Sequence, residues 1–130
     1  MAASFTRYTL AMVSPRKAFL GRWRITSIVG WDKPEIDLLG PAYIEFAPRN
    51  DGHFQFSAVT GEVDYRVSTE ATGPIIEWAW IGDDDGREVS GRGFAMREGD
   101  TLTGTIFMFG GDDFRFEASP AKPRRTSRGA

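Results

Sequence analysis

The sequence predicts an all-β fold: a single eight-stranded, antiparallel, up-and-down barrel entered through a short N-terminal helical turn. Two observations carry that expectation. Apolar residues recur at every second position in run after run, the period of a half-buried strand. Glycine, proline, asparagine and aspartate cluster between these runs, at intervals of roughly 8–15 residues, and no amphipathic helix of ordinary length separates them. A flat meander of eight strands would leave two open edges, which closure into a barrel removes.

Taken in order, Ser14-Pro15 reads as an N-cap followed by proline at the first helical position, and Gly21 stops the turn after Phe19-Leu20. Trp23, Ile25, Val29 and Trp31 share one face of the first strand under strict alternation. Ser27 breaks that face, which points to a bulge, and Ile28 is expected to point the other way. Asp32 to Pro41 is the longest connection, with space for one helical turn between Pro34 and Gly40. Tyr43–Phe46 is the second strand, followed by the turn Pro48-Arg-Asn-Asp-Gly52. Phe54, Phe56 and Ala58 share a face of the third, and Gly61 is expected to turn the chain into the fourth, where Val63, Tyr65 and Val67 alternate with acids and Arg66. Ile76, Trp78 and Trp80 face one way in the fifth, which Asp83-Asp84-Asp85-Gly86 ends. The sixth carries Phe94 and Met96 with Gly91 and Gly93, glycines that mark a bend or a close backbone approach. Leu102, Gly104, Ile106 and Met108 share a face of the seventh, with Phe107 and Phe109 behind it. Phe114, Phe116 and Ala118 line the eighth. Residues 1–13 are expected to be a flexible lead, 14–119 the barrel and 120–130 a disordered basic tail.

A chain of 130 residues is one domain, large enough for one proper core. It holds no cysteine, which rules out disulfides, thiolate catalysis and cysteine-bound metals and points to a reducing compartment. The net charge of −2 hides an asymmetry: residues 1–24 carry +5, residues 120–130 carry +4, and residues 25–119 hold 7 bases against 18 acids. An acidic body with basic ends repels nucleic acid over most of its surface. No run reaches the roughly 18 apolar residues of a membrane helix. The weak apolar run Tyr8–Val13 is shorter than a secretory core and lacks a cleavage site, so the expected location is cytoplasmic.

A short helix, then Gly21-x-Trp23, then an eight-strand meander resembles the calycin superfamily, the lipocalins and their bacterial relatives. The resemblance implies that Trp23 plugs the closed end of the barrel and that a late arginine, here Arg115, stacks across it. From Phe19 to Ala118 the chain is also similar to an uncharacterised family of small bacterial proteins. The carrying pieces are Trp31-Asp32, Ile36-Asp37-Leu38, Gly40-Pro41-Ala42-Tyr43-Ile44-Glu45-Phe46, Gly52-x-Phe54-x-Phe56, Glu77-Trp78, Ser90-Gly-Arg-Gly93 and Gly111-Asp112-Asp113. That second resemblance implies no activity. The absence of cysteines, together with the expected lack of a signal peptide, separates the chain from the secreted carriers.

The chemistry-bearing residues are few. His53 is the only histidine, so neither a triad nor a two-histidine metal site can be assembled around it, and it reads as a surface strand residue. The haem-binding barrels of similar shape use a late histidine, which this chain lacks. No metal or cofactor is expected. Asp83-Asp84-Asp85 lacks the spacing of a calcium loop and reads as a charged turn. Ser90-Gly91-Arg92-Gly93 is no phosphate loop, because it lies in a strand pattern and precedes no helix.

The aromatic residues Trp23, Trp31, Trp78, Trp80, Phe54, Phe56, Phe94, Phe114 and Phe116 are expected to look inward. Strands this short with rings this bulky favour a nearly filled core. The first functional reading is a non-enzymatic binding module for a small apolar or aromatic ligand, in a pocket open at one mouth. Trp31, Tyr43, Trp78 and Trp80 would form its wall, with Arg92 or Arg66 as the polar anchor. The alternative is a packed-barrel scaffold that contacts another protein through its acidic flank and the 32–41 loop, where Ile36, Leu38 and Leu39 are offered. A carboxylate-based hydrolase acting through Asp32, Glu35 and Glu45, with Asp37 nearby, ranks last.

Overall fold

The computed structural model describes residues 14–122, and the expected flexible lead and most of the basic tail lie outside the described residues. Eight antiparallel strands close into one barrel in sequence order: β1 (Gly21–Ile28), β2 (Tyr43–Phe46), β3 (Asp51–Phe56), β4 (Val59–Glu70), β5 (Gly73–Asp84), β6 (Arg87–Glu98), β7 (Thr101–Met108) and β8 (Asp113–Pro120). A single 3-10 turn, Pro15–Ala18, precedes β1. The Ser14 hydroxyl caps it, accepting from the Arg16 N–H at 3.3 Å. Strand β8 runs through Pro120, and the Ala121 N–H still donates to the Arg22 carbonyl at 2.9 Å. The barrel wall therefore takes in the first residues expected of the tail. Among the described residues no helix is long and apolar enough to cross a membrane.

Trp23 plugs the end of the barrel below the 3-10 turn. It is buried, and its indole N–H donates to the Phe19 carbonyl at 2.9 Å. The arginine over its ring is Arg97, with the guanidinium carbon 5.2 Å from the ring centroid, and not Arg115. Arg115 alternates with the inward Phe114 and Phe116 and so faces out. It also lies five residues, roughly 17 Å of strand, from Pro120, the partner of Trp23. Arg97 reaches the plug from the end of β6 and donates to the Ala18 carbonyl at 2.7 Å, tying the turn to the wall.

The register of β1 against β8 slips between Ile25 and Ser27, where the sequence predicts a bulge. The extra residue reverses the facing of the positions after it. Ile28 is therefore buried, while Val29 is 69% exposed and outside the barrel, the opposite of the strict alternation. The β3–β4 hairpin turns at Ser57-Ala58 and not at Gly61, with Ser57 at a φ of 53°. Ala58 thereby leaves the inward face. Gly61 lies inside β4, where a Cβ would overlap the Phe54 ring and come within 3.0 Å of the Trp80 indole.

Aromatic rings take up the interior in two groups. Phe46 meets Phe19, Tyr65 and Trp78 at centroid separations of 6.4, 5.4 and 5.5 Å near the plugged end. Phe54, Phe56, Trp80 and Phe114 pack at 4.9–5.8 Å toward the other end. Burying each fully is worth roughly 1.5–3 kcal/mol. The long connection carries one helical turn, α1 (Lys33–Ile36), whose Ile36 is buried in the core. Trp31 stands edge-on to Phe56 and Phe114 at 6.4 and 5.9 Å, so it is a stopper in this second end.

Candidate functional site

Interior crowding decides what the outer wall carries. Trp78 and Trp80 project from β5 across the barrel, and β6 passes them with Gly91, Gly93 and Ala95. A Cβ on Gly93 would overlap the Trp78 indole, so these glycines serve close approach, and pairing on both sides of β6 continues through them without a bend. Alternation then sends the intervening Arg92, Phe94 and Met96 outward. Phe94, expected inside, is on the outer face for this reason. Gly104 and Ile106 likewise face in on β7, leaving Phe107 outside.

The result is an apolar groove of about 620 Å³ on the outer wall of β5, β6 and β7. Phe94 and Phe107 stack along it, 6.1 Å apart at 25°. Phe109, just past β7, is 86% exposed, and its N–H donates to the Ser90 carbonyl at 2.7 Å. Ala79 and Glu77 form the β5 side. The floor includes the edge of Trp80, whose indole N–H donates to the Phe107 carbonyl at 3.1 Å and holds β7 beneath the stacked rings. Arg92 occupies the middle of one cross-strand row, between Ala79 and Phe107. Among the described residues it forms no ion pair.

The six residues expected to line an interior pocket are distributed over the molecule. Trp78 and Trp80 are buried inside, and Trp31 closes one end. Tyr43 is on the outer wall, where the Arg22 guanidinium lies 3.8 Å over its ring and its hydroxyl is 2.9 Å from His53 Nδ1. Arg66 is exposed and paired with Asp64 at 2.6 Å. Only Trp80, from below, and Arg92, from the side, meet at the groove. Phe94, Phe107 and Phe109 complete it, and the sequence reading does not include them among the site residues. The alternation of Gly91, Gly93 and Ala95 is the signal that could have found Phe94.

The carboxylates do not converge. Glu35 Oε1 accepts the Asp32 N–H at 2.9 Å as part of the cap of α1. Glu45, on the outer wall, accepts from Arg22 Nε at 2.7 Å and lies 3.8 Å from His53 Nε2. Asp37 is held by Arg24, whose Nη1 and Nη2 donate to its two oxygens at 2.9 and 2.7 Å. Asp83 accepts the Gly86 N–H at 2.8 Å within its own turn.

Fold and site together define a small closed β-barrel that fills its interior with its own aromatic side chains and presents an apolar groove outside. No protein-family model, no curated protein and no solved structure matches the chain.

Proposed function

We propose that this barrel is a non-enzymatic binding module for a small apolar or aromatic molecule, taken up in the groove on its outer wall. The observation that carries the reading is the stacked Phe94–Phe107 pair beside the exposed Phe109, on a barrel whose interior is packed with its own buried rings. Clustered exposed aromatics of this kind mark binding surfaces. The helical turn, Gly21-x-Trp23 and the eight-strand ring support kinship with the bacterial calycins. The cysteine-free composition supports the cytoplasm as its location.

The neutral dye phenylnaphthylamine tests the groove. Saturable binding with enhanced emission is expected, weakened about tenfold or more by Phe107→Ser, since part of an aromatic contact worth about 1.5–3 kcal/mol is lost. Phe107 is 37% exposed, so the variant should keep its fold, which a melting curve checks. Unchanged affinity in Phe107→Ser would remove the groove as the site.

A second reading, contact with another protein through the 32–41 loop, is favoured by Leu38 and Leu39, which are 62% and 55% exposed on a loop that Asp37 pins to the wall. Serine at both positions should abolish capture of any partner the wild-type protein recovers. Capture that survives the double variant would end this reading.

A further inference from the structure

We infer that the ligand of the outer groove is an amphipathic monoanion, an aliphatic or aromatic carboxylic acid whose head pairs with Arg92 while its apolar body lies along Phe94, Phe107 and Phe109. This rests on the groove being a binding site and adds the charge and polarity of its occupant.

The argument is one of charge complementarity. Residues 25–119 carry 18 acids against 7 bases, and most of the described arginines have an acidic partner: Arg22 with Glu45, Arg24 with Asp37, Arg66 with Asp64, Arg87 with Asp84 and Arg97 with Asp100. Arg92 is different. Its neighbours across the ladder are Ala79 and Phe107, and along its own strand they are Ser90 and Phe94. Arg92 is exposed and lines the groove, and its planar guanidinium offers two parallel N–H donors, the fork that a carboxylate accepts bidentately. Its field is met by Glu77, paired with Phe94 across β5, by Asp113, paired with Phe107 across β8, and by Arg115, paired with Thr105. Glu77 and Asp113 at the margins outnumber Arg115, so beyond the pair with Arg92 a second negative charge on the ligand has no unopposed cation to meet, which selects a monoanion.

Two dyes with the same ring system separate the inference from the reading beneath it: neutral phenylnaphthylamine and anilinonaphthalenesulfonate, which adds one negative charge. Wild-type protein is expected to bind the anionic dye about tenfold more tightly, with the preference falling as salt rises. Arg92→Gln should erase the preference, lowering the anionic dye's affinity about tenfold more than the neutral dye's. Arg92→Lys should retain part of the preference, and Glu77→Gln should strengthen it a few-fold. 2-Naphthoate should displace the anionic dye from wild-type protein and fail to do so from Arg92→Gln.

A preference that persists in Arg92→Gln, or equal affinity for both dyes in wild type, overturns the monoanion while leaving the groove intact. Failure of both dyes to bind overturns the groove and the monoanion together. Sedimentation showing a dimer that Phe107→Ser dissociates would assign the face to a second copy of the chain and overturn the proposal.

Discussion

Gly93→Ala is expected to lower the unfolding free energy by about 2 kcal/mol or more, read as a shift of the urea midpoint at unchanged slope. Alanine ordinarily improves a strand glycine by about 0.5–1 kcal/mol, so the sign here is decided by space. The added methyl would fall on Cε2, Cζ2 and Nε1 of Trp78. The indole cannot retreat: Trp78 is 2% exposed, and Phe46 backs it at a centroid separation of 5.5 Å. The Trp78 indole N–H also lacks a hydrogen-bond partner among the described residues, so nothing polar is lost when the ring is exchanged for phenyl. Trp78→Phe should therefore make space for the methyl group that Gly93→Ala adds. The double variant should be more stable than the sum of the single changes predicts, by at least about 1 kcal/mol. Strict additivity would show that some other contact makes position 93 intolerant.

Asp37→Asn should cost about 2 kcal/mol at neutral pH, and the cost should disappear in acid. One carboxylate ties the long connection to the wall: Oδ1 accepts from Arg24 Nη1 and the Ala42 N–H, and Oδ2 from Arg24 Nη2 and Lys33 Nζ. The hydrogen-bonded Arg24 guanidinium, helped by Ala42 and Lys33 against the opposing effect of burial, holds the carboxyl well below the usual carboxylate range. A folded-state value below the unfolded one means that stability is present in full above the unfolded value, about 3.9, and is lost as pH falls through the folded one. Asparagine imitates the protonated acid. The difference in melting temperature between wild type and Asp37→Asn should thus be constant from pH 7 to about pH 5 and narrow below about pH 4. A gap that stays constant down to about pH 2.5 would mean that the pair contributes through shape alone.

Periodicity and turn chemistry make the barrel legible because both are local: each inward run of β4, β5, β7 and β8 stands where alternation puts it. The misplacements arise where one residue changes the phase. The bulge at Ser27 is visible in the sequence, but strict alternation does not carry its effect through to Ile28 and Val29. Gly61 resembles a turn glycine by composition, yet what requires it is a pair of rings from strands on either side. The site is harder to read for the same reason. Whether Phe94 faces in or out depends on Trp78 filling the barrel opposite Gly93, a contact between strands that no single run encodes. Arg115 and Arg97 lie on different late strands, and only the tilt and register of the closed ring decide which one reaches Trp23.

The pairing of β1 with β8 has a consequence for biosynthesis. Seven of the eight ladders join strands adjacent in sequence, so each can form soon after its second strand emerges. The eighth brings Trp23 to Pro120, and its closure must await nearly the whole barrel. While the chain is being made, β1 offers an unpaired edge, and the aromatic residues meant for the interior stand on an open sheet. The ring closes only when its eighth strand has left the ribosome, and until then its first strand is an edge without a partner.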